Sequence, residues 1–139
     1  MIKYVKGDLL ESDAQIILHQ VNLQGVMGGG LALQIANKYP NVEMIYKEYK
    51  DKKLGNVVFA TADDKFIGNC FSQNEDFTTN YKALEQCLDK VLDYMNMFDL
   101  ISVAIPYKYG CGIASGDWNK VEKIFENKFK DRYLTIYQL

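Results

Sequence analysis

Histidine and tryptophan occur once each in these 139 residues, proline twice and cysteine three times. A lone imidazole cannot build a multi-histidine metal centre, and Cys70, Cys87 and Cys111 form no CxxC pair, so neither a zinc site nor any other metal is expected. An odd number of scattered thiols is no disulfide framework either, which points to a reducing, cytoplasmic setting. Long apolar runs are missing too. None approaches the roughly 20 residues that span a bilayer, and Met1 to Asp8 has neither a long apolar core nor a small-residue cleavage site. No membrane association or export is therefore expected. An excess of positive charge is also absent: the net charge is -2 and the pI about 5.4. Polyphosphate chains are bound by clustered Lys and Arg, whereas the two densest basic stretches here, Lys47 to Lys53 and Lys120 to Lys130, interleave Lys with Asp and Glu as solvated helix faces do. Direct sequence-specific nucleic-acid binding is not expected.

What is present suffices for one domain over residues 1–139, with 48% of residues hydrophobic and 24% charged. Ile2 to Lys6 and Gln15 to Gln20 read as strands, the second carrying the continuous run Ile16-Ile17-Leu18, and both are expected to be central. Leu31 to Lys38 reads as a helix stopped near Tyr39, because Pro40 disfavours helical geometry in the residue before it. Val42, Ile45, Tyr46 and Tyr49 repeat at the spacing of an amphipathic helix. Val57 to Thr61 and Phe66 to Phe71 read as strands about the turn Asp63-Asp64, with a hairpin open to them. Thr79 to Met97 carries the longest helical stripe, Ile101 to Ile105 is an apolar strand, Asp117 is placed to cap a helix over Trp118 to Phe129, and Tyr133 to Tyr137 closes as a strand. Strands alternating with helices predict an α/β fold on a parallel or mixed sheet covered on both faces.

Two segments share one order of features. His19 to Ala32 leaves an apolar strand, crosses the glycine-rich Gly25-Val26-Met27-Gly28-Gly29-Gly30 and enters a helix; Ile105 to Trp118 does the same through Gly110-Cys111-Gly112-Ile113-Ala114-Ser115-Gly116. Glycines let backbone NH groups approach an anion, and a helix N-terminus favours a phosphate. Two such turns can converge on one diphosphate. Neither matches GxGxxG or the P-loop, so ordinary dinucleotide and triphosphate folds are not expected.

GDLL at Gly7 to Leu10, HQVNLQGVMGGGLA at His19 to Ala32, IPYKYGCGIASGDW at Ile105 to Trp118 and the terminal IYQL together resemble the macrodomains. The branch resembled is that of the yeast-type ADP-ribose-1''-phosphate phosphatases, their phage and bacterial relatives, and the terminal ADP-ribose glycohydrolases. The resemblance spans essentially the whole chain. It implies a three-layer α/β/α sandwich with a mixed central sheet, a monomer, no cofactor, and ADP-ribose, ADP-ribose-1''-phosphate or ADP-ribosylated macromolecules as ligands. It assigns Asp8, with Leu9, to the adenine and Asn22 to the distal ribose. Gly28, Gly29 and Gly30 would then meet the phosphates from one side, and Gly110, Cys111, Gly112, Ile113 and Ala114 from the other.

The sequence departs from the family at the acids. Ala32 stands where the mono-ADP-ribosyl hydrolases of this fold carry an aspartate, and Ser72 or Gln73 and Ala114 where the glycohydrolase branch carries a lysine and an aspartate. His19 matches a histidine of the phosphatase branch. It is either a general acid or base, as a pKa near 6.5 permits, or a structural hydrogen-bonding residue at the end of a buried strand. Alternatives stand elsewhere as well: Asp8 as a turn residue, Asn22 as an Asx turn, Cys111 as a nucleophile or as a small residue packed under the loop. Tyr107, Tyr109 and Trp118 line the ligand or belong to the core. The function expected is hydrolysis at the distal ribose of ADP-ribose-1''-phosphate or of ADP-ribosylated substrates, with non-catalytic ADP-ribose binding as the alternative.

Overall fold

The computed structural model describes every residue except Met1 and Ile113. Six strands form one sheet: β1 (Ile2–Lys6), β2 (Ile16–Gln20), β3 (Val57–Ala62), β4 (Lys65–Cys70), β5 (Ser102–Pro106) and β6 (Tyr133–Gln138). Their order is β1-β6-β5-β2-β4-β3, with every neighbouring pair parallel except the β3–β4 hairpin. The helices are α1 (Gly30–Lys38), α2 (Pro40–Glu48), α3 (Tyr81–Met97) and α4 (Trp118–Lys128).

Successive strand residues point to opposite faces, and β2 has no solvent face at all. Ile16 and Leu18 pack with the α3 and α4 residues Leu84, Leu88, Val121 and Phe125. Ile17, between them, packs with the α1 and α2 residues Ile35, Val42 and Tyr46. Two hydrophobic cores thus lie on either side of one sheet, giving the three-layer arrangement.

The helix ends follow local chemistry. Tyr39 closes α1 and opens α2, with Pro40 at the first helical position where its missing NH costs nothing. The Asn80 side chain accepts from the Ala83 NH at 2.8 Å, so the stripe read from Thr79 becomes a helix beginning at Tyr81. Asp117 accepts from the Asn119 NH at 3.0 Å and caps α4.

One expectation is corrected. β1 is an edge strand, paired only with β6, and Tyr4 on it is 51% exposed. None of its five residues is buried, and Lys3 and Lys6 put a charge on each face, which suits an edge strand. The continuous run in β2 is what a central strand requires.

These placements separate two substitutions. Leu88→Ala, in the fully buried stripe of α3, should destabilise by about 2–5 kcal/mol in urea titrations. Tyr4→Ala, on the edge, should stay within about 0.5 kcal/mol of the parent.

Candidate functional site

β2 and β5 are adjacent and parallel, yet the chain leaves them in opposite directions. After β2 it passes to α1 on one face of the sheet, and after β5 to α4 on the other. Between two such departures the carboxyl ends of the strands open into a crevice, which is where open α/β sheets take ligands. The crevice is a cleft of about 530 Å³, with Gly28, Gly29 and Gly30 on one wall and Gly110, Gly112 and Ala114 on the other. A second cavity of about 240 Å³ adjoins it, holding Asp8, Leu9 and Tyr137 and sharing Leu31, Pro106 and Tyr107 with the first. The two glycine-rich turns therefore do converge, and Asp8 and Leu9 sit at the far end of the same groove.

Gly29 is the N-cap of α1 and supplies no side-chain bond, so the first-turn NH groups, which have no partner within a helix, lie at the cleft wall without a capping side chain. A Cβ added at Gly29 or at Gly112 would meet nothing within 4 Å. Gly110 and Gly116 differ: a Cβ at Gly110 would come within 2.7 Å of the Thr79 hydroxyl, and one at Gly116 within 2.6 Å of the Gly110 carbonyl. Gly110 also has φ +68, a left-handed conformation that favours glycine. Hence Gly29 and Gly112 face empty space reserved in the cleft, whereas Gly110 and Gly116 are required by the packing of the protein itself.

Asn22 lines the cleft, but most of its amide is committed to its own loop. Oδ1 accepts from the NH groups of Gln24 at 3.1 Å and Val26 at 3.3 Å, and Nδ2 donates to the Val26 carbonyl at 2.8 Å. The Tyr46 hydroxyl, its pKa raised to about 12 by burial, lies 2.6 Å from both Asn22 oxygens. The Asx-turn reading thus describes what this side chain does within the fold. Asp8 likewise accepts from the Leu10 NH at 2.9 Å, capping the short 3-10 turn Leu9–Glu11, while lining the smaller cavity.

His19 lines the cleft floor and is 2% exposed. Asn69 opposite it in β4 donates through Nδ2 to the Val58 carbonyl, so its Oδ1 faces the imidazole at 2.6 Å and Nε2 carries the proton. Burial lowers the pKa to about 4, only partly offset by the bond to Asn69. At neutral pH the ring is uncharged, with Nδ1 as an acceptor, and is no general acid. The Cys111 thiol donates to the Tyr109 carbonyl at 3.2 Å and its pKa is raised, chiefly by burial and then by the nearby Asp117 charge. That thiol stays protonated, and Cys111 is absent from the cleft lining, because its side chain packs against the core beneath the loop. Ile113, also expected at the ligand, lies outside the described residues. Among the described residues no three His, Cys, Asp or Glu side chains gather to hold a metal ion, and no helix is long and apolar enough to cross a membrane.

Of the three aromatics, Tyr107 lines both cavities and packs edge-on against Trp118 at 5.2 Å, Trp118 joins the core, and Tyr109 is buried with its hydroxyl 2.7 Å from Ser72 Oγ. The structure adds lining residues to which the sequence assigns no role, Gln20, Val26, Phe77 and Lys108, and of the two positions matched to the glycohydrolase lysine it puts Gln73, not Ser72, on the cleft lining. Gln73 and Phe77 come from the β4–α3 connection, which has no glycine and so no visible loop signature. Phe77 is held at φ +70 by a turn in which the Asn74 NH donates to the Thr78 carbonyl at 2.7 Å and Asp76 Oδ1 accepts from the Thr78 hydroxyl at 2.6 Å. A large side chain at positive φ is strained, and this one is 45% exposed at the cleft wall.

Two consequences can be measured. Gly110→Ala should cost about 1–3 kcal/mol of stability through overpacking, whereas Gly112→Ala should cost under about 0.5 kcal/mol. For His19 the folded pKa lies below the ordinary value of 6.5, so the unfolded chain takes up a proton that the folded chain refuses. Stability should therefore fall by roughly 3 kcal/mol as pH drops from 6.5 to about 4, and His19→Gln should remove that slope from urea titrations.

Comparison with known proteins agrees with this geometry. An ADP-ribose 1''-phosphate phosphatase of Saccharomyces cerevisiae is 27% identical over 99% of this chain and 98% of that protein. A DNA ADP-ribosyl glycohydrolase of Mycobacterium tuberculosis is 29% identical over 94% of this chain, which spans only 39% of that longer protein. The solved macrodomain of Mycobacterium tuberculosis DarG superposes with a TM-score of 0.88 at 27% identity, covering 100% of this chain and 98% of that one. The Macro domain family model matches residues 18–125, which include both glycine-rich turns, and the chain belongs to the Macro domain family.

Proposed function

We propose that this protein binds ADP-ribose along the joined cavities, with adenine at Asp8 and Leu9, the diphosphate between the two glycine-rich turns, and the distal ribose toward Asn22, Gln73 and Phe77. The observation that carries this reading is the uncapped start of α1 facing Gly110, Gly112 and Ala114 across a cleft that continues into a second cavity. Uncapped helix NH groups attract an anion, and the extended groove suits a ligand with a base at one end and a sugar at the other. Tyr107, shared by the two cavities, supplies an amphipathic wall for the proximal ribose.

Turnover at the distal ribose is the second reading. His19 favours it, because its Nε2 proton is committed to Asn69 and Nδ1 is left as an acceptor on a residue that lines the cleft. The names of the relatives, which process ADP-ribose-1''-phosphate or remove ADP-ribose from DNA, point the same way. Against it stand Ala32 and Ala114, which put no carboxylate on either cleft wall, and an imidazole too weakly basic to activate water strongly.

Gly29→Asp separates binding from folding. The residue is extended, with φ -161 and ψ 166, so an aspartate there should cap α1 and add roughly a few tenths of a kcal/mol of stability. It would also place a carboxylate where the diphosphate sits. Calorimetry with ADP-ribose should show micromolar binding by the parent and none by this variant; undiminished binding would place the anion elsewhere. Incubation with ADP-ribose-1''-phosphate, with ADP-ribosylated DNA and with mono-ADP-ribosylated protein then decides the chemistry. Release that disappears in His19→Ala while ADP-ribose affinity is kept would establish the enzyme, and tight binding without release from any of the three would establish a reader.

A further inference from the structure

Beneath the second glycine-rich turn lies a partly buried polar cluster of which the reading above uses only Gln73. Thr79, at the end of the β4–α3 connection, grips that turn at two points. Its NH donates to the Ala114 carbonyl at 3.0 Å and its hydroxyl to the Gly110 carbonyl at 2.5 Å. Because the hydroxyl proton is spent on Gly110, Thr79 Oγ1 accepts from Gln20 Nε2 at 3.3 Å, and the bonds run in one direction from Gln20 through Thr79 to the turn. Gln20 Nε2 also lies 3.2 Å from the Ser72 carbonyl and 3.1 Å from Ser72 Oγ, while its Oε1 accepts from Gln73 Nε2 at 3.2 Å. Ser72 in turn meets the Tyr109 hydroxyl at 2.7 Å. Gly110 fits against Thr79 and Gln20 so closely that a Cβ would strike both, at 2.7 and 2.9 Å.

Amides that hold an anion must be fixed to within about 0.5 Å of the productive geometry, and the groups that fix them are themselves locked by packing and hydrogen bonds. A glycine-rich turn has few side chains with which to fix itself, and every degree of freedom left to it is lost on binding. We propose that Thr79 and, behind it, Gln20 are positioning residues for the diphosphate: Thr79 holds the turn at Gly110 and at Ala114, and Gln20 holds Thr79. The inference rests on the ADP-ribose reading and adds to it a second wall whose order comes from β2 and the β4–α3 connection.

Thr79→Val keeps the volume and the NH bond to Ala114 but removes the hydroxyl. ADP-ribose affinity should fall about tenfold, the scale of one lost hydrogen bond. Binding of adenosine, which occupies only the base end and is followed by amide chemical shifts, should be unchanged, and Thr79→Ser should restore ADP-ribose affinity. Gln20→Met removes the donor at the other end of the relay and carries the test should Thr79→Val fail to fold. Parental ADP-ribose affinity in the variants, an equal loss for adenosine and ADP-ribose, or no restoration by Thr79→Ser would each overturn the proposal. A parent that fails to bind ADP-ribose would overturn the ligand reading itself, a different result from a parent that binds beside variants that bind equally well.

Discussion

The site depends on one constraint, the opposite departures of the chain from two adjacent parallel strands. β2 and β5 pair side by side, so their carboxyl ends emerge together, but each is followed by a helix on a different face of the sheet. Among the described residues, neither connection crosses the space between those departures. The opening of the cleft is therefore a consequence of topology, and the hydrophobic burial of α1 and α4 on their respective faces holds it open.

Polar groups at the strand ends then divide by face, as the pleat requires. His19 and Asn69 point toward α1 and α2, Gln20 and Ser72 toward α3 and α4, and each pair is hydrogen-bonded across the β2–β4 seam. The same location gives the two faces different work. On one, a neutral imidazole stands at the cleft floor; on the other, an amide and a hydroxyl brace a turn. Neither glycine-rich segment is uniform either. Gly29 and Gly112 keep space open, whereas Gly110 and Gly116 are glycine because the protein occupies the space a Cβ would need.

Much of the fold was legible residue by residue. The continuous run Ile16-Ile17-Leu18 marked a doubly covered strand, Pro40 marked the break between two helices, Asp63-Asp64 marked the hairpin, and Asp117 marked the start of α4. The edge position of β1 was missed because strand order is a long-range property, although its two lysines are the trace an edge leaves. Within the site, glycine-rich turns after apolar strands were visible because backbone geometry constrains residue type locally. Phe77 was not, and Gln73 was reached only through the family resemblance, since an ordinary polar connection reaches the cleft only after β4 has been placed beside β2.

By itself the sequence determined the elements and the location of the two glycine-rich turns, because each of these is written in short-range patterns of apolar spacing, glycine and caps, while the family was read from the likeness of four segments to known macrodomains. Only the tertiary structure decided what the individual side chains are free to do. His19 reads as an ordinary titrating imidazole until burial and Asn69 lower its pKa to about 4. Asn22 stays open between a ribose contact and an Asx turn until its own loop and Tyr46 take up its hydrogen bonds, and Cys111 between a nucleophile and a packed residue until its thiol is found under the turn that carries it. Protonation state and hydrogen-bonding capacity are set by neighbours distant in the chain, and those neighbours exist only once the sheet has assembled.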